Sequence, residues 1–276
     1  MTLCIAAACQ DRSKHRIVIG TDWKVGSEVA TAEIQDKLYW INDDIPVLIA
    51  GTVHRAVDLR DTIRDYLDHL KARKAELELM TSYQITDLIR RPVAIFKRKL
   101  AHEHVSLKLG IGYKEFRKAV GQNQIPPAIA YETMQEVASI QFSCWVIIPF
   151  FWDQQPLIYK IDTLGTVELC ENFAAIGTGA TIAESVLYQR NHQANDPLGP
   201  CVYHVFEAMK LGSIASDVGQ EHTIDVLYPP GEKRKDMVGE TLTESAKKFL
   251  DRRFKVLGPK PFKRMRLPEN ALENDF

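Results

Sequence analysis

The stretch that most constrains the fold is Leu3-Cys4-Ile5-Ala6-Ala7-Ala8-Cys9, an uninterrupted apolar run directly behind Met1 and Thr2. Its length suits a strand, and the lack of alternation predicts burial on both faces. Such a strand needs a layer on each side, and the alanines require those layers to approach closely. Gln10–His15 is polar and reads as a hairpin turn. Arg16-Ile17-Val18-Ile19-Gly20-Thr21 supplies a second strand ending at Asp22, with Gly20 admitting a close neighbour or a bulge.

The rest of the chain supplies partners for this hairpin. Gly26-Ser27 is a turn signal, Val29–Trp40 alternates loosely, and Ile45–Ala50 is an apolar run closed by Gly51. Four short strands in sequence predict an antiparallel sheet. From His54 the period changes. Ala56, Leu59, Ile63, Tyr66 or Leu67, and Leu70 form one face of an amphipathic helix, with acids and arginines opposite. A second helical region, about Ser82 to His104, is expected to break or kink at Pro92.

Leu107–Pro127 is punctuated by glycines and Pro126-Pro127 and carries no clear element, whereas Ile129–Val137 reads as a short helix. Strands are expected at Ser139–Ile148, Leu157–Asp162 and Thr166–Cys170, with a turn at Leu164-Gly165. Gly177-Thr178-Gly179 opens a helix to about Arg190, and Asn191–Pro200 is a loop. A helix with Val202, Phe206 and Met209 on one face follows, then Thr223–Leu227 as the last strand. Beyond Pro229-Pro230-Gly231 the chain is rich in proline, lysine and arginine. With one helix near Glu240–Arg253, it reads as an extension laid on the surface or projecting from it. This order predicts two sheets face to face with helices outside.

Composition excludes several classes. A net charge of −1 creates no field to recruit nucleic acid or anionic membrane. The basic runs Lys233-Arg234-Lys235 and Lys263-Arg264-Met265-Arg266 are diluted by neighbouring acids. The five cysteines form no C-x-x-C pair and read as reduced thiols. The longest apolar run, Cys144–Trp152, falls far short of the ~20 residues that span a bilayer. Leu3–Cys9 lacks the basic flank of a secretory signal. The expectation is a cytoplasmic protein with no membrane or nucleic-acid partner.

Thr2 carries the chemistry. If Met1 is removed, one residue holds both a hydroxyl nucleophile and a free amine as its general base. Competing motifs are weak. Gly177-Thr178-Gly179 lacks the Gly-Lys-Ser/Thr ending of a phosphate-binding loop. His102 and His104 would point apart on a helix, and neither G-x-S-x-G nor H-E-x-x-H occurs. No metal or cofactor is expected. Cys4 shares a strand face with Thr2 and reads as a buried small hydrophobe.

Taken in order, Thr2–Ala8, Ile17–Asp22, Asp36-Lys37-Leu38-Tyr39-Trp40-Ile41, Val47–Gly51, Leu157–Asp162 and Ala174–Gly179 resemble the proteasome β-subunit and HslV group of N-terminal-nucleophile (Ntn) hydrolases. The resemblance covers most of residues 2–228, but neither the region from about 71 to 137 nor the tail. It implies an α+β fold, a four-layer αββα sandwich over residues 1–228 with a helical insertion at about 71–137 and a C-terminal extension over 229–276.

It also implies threonine-type peptide hydrolysis. Thr2 corresponds to the nucleophile, Lys37 to the lysine beside it and Asp22 to the acid pairing with that lysine. Gly51, fourteen residues after Lys37, corresponds to the glycine whose N–H stabilises the oxyanion. Thr178 stands in the place of a serine in Gly-Ser-Gly, and Asp217 near a later aspartate of the family. Leu3 replaces a second threonine, and Gly219-Gln220-Glu221 stands where a serine would support the amine. The implied partners are a peptide or unfolded-protein substrate, further copies of the chain in a homo-oligomer, and an ATPase unfoldase. A catalytically inactive scaffold subunit and an Ntn amidase acting on a small molecule are the alternatives.

Overall fold

The computed structural model describes residues 2–22, 25–26, 31–32, 37–42, 45–71, 82–214, 221–232, 239–257 and 272–273. Met1, Ser27, Asp217 and both basic runs of the tail lie outside the described residues. The chain forms two compact units. One comprises residues 1–53, 144–160 and 168–276, the other residues 54–143 and 161–167.

The first unit is built on β1 (Leu3–Asp11) and β2 (Lys14–Asp22), an antiparallel hairpin turning at Arg12-Ser13, with Arg12 at φ 60°. Further strands are β3 (Val25–Gly26), β4 (Thr31–Ala32), β5 (Leu38–Asn42), β6 (Ile45–Gly51) and β7 (Cys144–Trp152). They are followed by β8 (Gln155–Ile161), β9 (Val167–Cys170), β10 (Phe173–Gly177), β11 (His222–Leu227), β12 (Gly239–Leu242) and β13 (Leu272–Glu273). Two main sheets result, ordered β10-β1-β2-β11-β12-β13 and β5-β6-β7-β8-β9, beside a small β3-β4 ribbon. Asp153 and Gln154, both at positive φ, make the tight turn between β7 and β8.

The two faces of β1 explain its uninterrupted apolar sequence. Leu3, Ile5, Ala7 and Cys9 pack with Val18 against two helices, α5 (Ala180–Gln189) and α6 (Leu198–Gly212). Cys4, Ala6 and Ala8 face the other way, with Ile17 and Ile19, onto Leu48, Ala50, Ile147 and Ile158 of the second sheet. The strand is therefore a middle layer. Each fully buried Leu or Ile contributes about 1.5–3 kcal/mol of transfer free energy. Gly20 sits in regular pairing with Ile5 and Ile224, without a bulge. Its missing side chain leaves room for Val205 and Met209 of α6.

α6 is buried almost all round, from Pro200 to Met209, so its sequence shows no polar face. It begins before the predicted end of the preceding loop because Pro197 can precede a helix and orphans no N–H there. Glu207 is fully buried and accepts from both Arg190 Nε and Nη2, a forked ion pair joining the end of α5 to α6.

The described part of the tail differs from the expected surface extension. β12 pairs with β11, so β11 is not the last strand. Thr243 Oγ1 accepts the Ala246 N–H and caps α7 (Glu244–Leu257). Ala246 and Leu250 of this helix are buried in the helix-side core. The apolar positions that appear sparse among the charges are the ones needed for one packed face. Leu250→Ala should lower unfolding free energy by about 2–4 kcal/mol, read from the urea midpoint. A tail merely resting on the surface would show almost no change.

The second unit holds most of α1 (Val53–Lys71), together with α2 (Ser82–Leu109), α3 (Tyr113–Gly121) and α4 (Pro127–Ala138). Ala56, Leu59 and Ile63 of α1 are buried, the expected face. α2 runs as one helix through Pro92 rather than as two. Its apolar face continues in register on both sides, through Ile85, Leu88, Ile89, Val93, Phe96 and Leu100, and that packing outweighs the lost hydrogen bond. α3 arises in the stretch that carried no clear element. Its N-terminus is closed by Glu115, whose carboxylate accepts the Gly112 N–H, and Phe116 anchors it in the core. His102 and His104 engage separate partners, the Tyr113 N–H and Glu136.

Candidate active site at the start of the first strand

Antiparallel pairing of β1 with β2 brings Asp22, the last residue of β2, beside the first residues of β1. Its Oδ1 accepts the Leu3 backbone N–H at 2.9 Å. The same oxygen accepts from Lys37 Nζ at 2.6 Å. The Lys37 ammonium and the peptide nitrogen immediately after Thr2 thus lie within the combined length of two hydrogen bonds. Lys37 is fixed from the second sheet, because its carbonyl accepts the Ile49 N–H at 3.1 Å. The Asp22 and Lys37 side chains are 0% and 7% exposed, and Thr2 is 7% exposed. The pair is therefore a desolvated charge pair aimed at the Thr2 end of β1, not a surface contact.

The second sheet reaches the same place. Cys4 is fully buried and donates its thiol to the Ile49 carbonyl at 3.6 Å. β6 consequently passes both Cys4 and Lys37 before ending at Gly51. Gly51 is exposed and has φ 101°, a conformation that leaves glycine as the natural choice.

From the other side, Leu3 pairs with Gly177 of β10. Gly177 has φ 97°, and a Cβ there would lie 1.9 Å from the Thr2 carbonyl oxygen. Nothing but glycine fits without moving Thr2. Thr178 follows at once, at the turn into α5. Gly177→Ala should cost about 2–3 kcal/mol of stability through strain and displacement of Thr2. Thermal unfolding measures the loss, and unchanged stability would show that Thr2 has room to shift.

Of the residues singled out in the sequence, Asp22 and Lys37 converge on the residue after Thr2. Gly51 ends the strand beside Cys4 and Lys37, and Thr178 follows the partner of Leu3. Asp217 lies outside the described residues. Gly177 was legible only as a helix-start glycine. The positive φ and the contact with Thr2 depend on pairing between β1 and β10, which are far apart in sequence.

The sequence matches no family model and no curated protein at a significant level.

Two of the cysteines are weak nucleophiles. All five cysteines are free. Burial, followed by the negative charge of Glu168, pushes the Cys170 thiol up to about 11, and burial also raises Cys201. Both are thiols rather than thiolates at neutral pH. At the Thr2 end of β1, by contrast, a fixed cation and the peptide nitrogen after Thr2 share one carboxylate oxygen. Such a cation would favour the neutral form of a nearby amine and a developing alkoxide.

Proposed function

We propose that the protein is an N-terminal threonine hydrolase, a proteasome-like peptidase that cuts peptide bonds after the Met1–Thr2 bond is broken. The observation that carries this reading is the convergence of Lys37 Nζ and the Leu3 N–H on one Asp22 oxygen. Asp22 and Lys37 are the positions that the Ntn resemblance assigns beside the nucleophile. The two-sheet sandwich with α5 and α6 on its outer face is compatible with the αββα architecture of that family.

In the proposed reaction the Thr2 amine takes the hydroxyl proton as Oγ1 attacks the scissile carbonyl. The Gly51 N–H stabilises the oxyanion, a contribution of about 2.7–4 kcal/mol for one such donor. Collapse of the intermediate expels the amine product, protonated by the Thr2 ammonium, and leaves an ester on Thr2 Oγ1. Water then releases the acid product. Asp22 is a positioning residue, since it acts by holding Lys37. Thr178 and Asp217 would support the Thr2 amine. Cytoplasmic location, homo-oligomeric assembly and supply of substrate by an ATPase unfoldase belong to the same reading.

The test is hydrolysis by the processed protein, assayed on fluorogenic peptides of several lengths and on small amides. Cleavage of the peptides, blocked by a threonine-directed epoxyketone, is the expected result. Turnover confined to small amides would replace the peptidase by an amidase. Inactivity on every substrate in protein with a free Thr2 amine would leave a scaffold subunit.

A further inference from the structure

A second cluster of chemically capable side chains lies toward the other end of β1. Ala8 is six residue steps along the strand from Thr2, a distance of about 20 Å at the rise of a β-strand. Beside Ala8 stand His192 and Asp196, from the connection between α5 and α6, and His204 of α6. His192 Nδ1 is 3.2 Å from His204 Nδ1 and 3.3 Å from Asp196 Oδ2. The His204–Asp196 separation is 4.0 Å. All three ligand atoms fall within 4.8 Å of one another. The two histidines are 2% and 4% exposed, and the Asp196 side chain is 27% exposed.

We propose that His192, Asp196 and His204 form a three-ligand site for a divalent transition cation of the zinc type, with the fourth position open to water. Tetrahedral nitrogen and oxygen ligands at zinc bond lengths stand about 3.3–3.6 Å apart. Two edges of this triangle are already within a tenth of an ångström of that range. Asp196, the partly exposed member, closes the third by a small side-chain rotation.

The surrounding bonds set the rings for ligation. His192 Nε2 lies 2.9 Å from the Ala8 carbonyl, which can only accept, so Nε2 carries a proton. In the neutral ring Nδ1 then holds a lone pair directed at the cluster. A backbone carbonyl on the far nitrogen is the usual support of a metal-bound histidine.

The loop is held as well. Asp196 Oδ2 accepts the Gln193 N–H at 3.1 Å. The Asp196 carbonyl accepts the Gln10 N–H at 2.8 Å, and Asn172 Oδ1 accepts the Ala194 N–H at 2.9 Å. Cys201 Sγ stands 3.9 Å from His192 Nε2, on the wrong side of the ring to ligate with Nδ1.

Two imidazoles and one carboxylate favour zinc and its neighbours over magnesium or calcium, which prefer oxygen donors. A cation there would cross-link the α5–α6 connection and α6, with His192 still bonded to the Ala8 carbonyl of β1. Without one, His204 Nδ1–H donates to His192 Nδ1 and the cluster is a hydrogen-bonded buried pair. The separation from Thr2 makes the site one of stabilisation, and it stands whether or not Thr2 is a nucleophile.

The experiment titrates the full-length, chelator-dialysed protein with Zn²⁺, with Mg²⁺ in parallel, by competition calorimetry and thermal unfolding. The expected result is one Zn²⁺ per chain with a raised Tm, and no response to Mg²⁺. Asp196→Asn keeps an acceptor for Gln193 while removing the ligand charge. It should weaken Zn²⁺ binding at least tenfold, since even outer partners of metal ligands contribute about 10–100-fold. His204→Gln should act likewise. If it fails to fold, Asp196→Asn decides. Undiminished binding by folded Asp196→Asn, no stoichiometric binding by folded wild type, or equal binding of Mg²⁺ would each overturn the proposal.

Discussion

Asp22→Asn will destabilise the protein by about 3–5 kcal/mol, the cost of leaving a buried charge without its partner. Lys37 is almost fully enclosed, and Asp22 Oδ1 is its acceptor at 2.6 Å. The amide can still accept a hydrogen bond but carries no countercharge. Part of the loss comes from the Leu3 N–H, which shares that oxygen. Urea unfolding measures the change. The double variant Asp22→Leu with Lys37→Met should recover most of the stability, because an apolar pair removes both desolvation penalties. It should remain inactive, which separates the structural role of the pair from its role in the reaction. A midpoint for Asp22→Asn within error of wild type would mean that Lys37 reaches solvent.

On the proposed hydrolase reading, Thr2→Ala lowers kcat/KM by at least about 10³-fold, with little change in stability. Losing a nucleophile removes one member of a group that acts as a unit, so other residues cannot compensate. The change deletes only a hydroxyl and a methyl at the end of a strand whose pairing begins at Leu3. Thr2→Ser should retain part of the activity, because the hydroxyl and amine remain. Activity surviving Thr2→Ala would move the chemistry elsewhere on the molecule.

Much of the fold was legible because burial is written into runs of one residue type. Leu3–Cys9 and Ile17–Ile19 have no polar interruption, so a middle layer was readable from them alone. The α1 face was equally plain in Ala56, Leu59 and Ile63. What failed depended on partners distant in sequence. Pro92 signals a break or a kink locally; the break does not occur, because the core positions on either side of it keep α2 one helix. Phe173–Gly177 was not read as a strand, and its pairing with β1 depends on a partner far away in sequence. The tail's charges conceal Ala246 and Leu250, the positions that bury.

The candidate site divides the same way. Asp22 and Lys37 were visible through their order, but the convergence of Lys37 Nζ and the Leu3 N–H on one Asp22 oxygen depends on segments distant in sequence. Gly177 gave no signal of its role as the wall behind Thr2. His192, Asp196 and His204 escaped notice because their spacing matches no compact ligand motif and a loop folds them together.

The most direct test of the central claim is intact-mass spectrometry of the folded protein, with and without a threonine-directed epoxyketone. The account predicts loss of one methionine and a single adduct, mapped to Thr2 by peptide sequencing and absent from Thr2→Ala. Retained Met1 with no adduct in folded protein would contradict it, and would leave the Asp22–Lys37 pair as a structural clamp in a non-catalytic subunit.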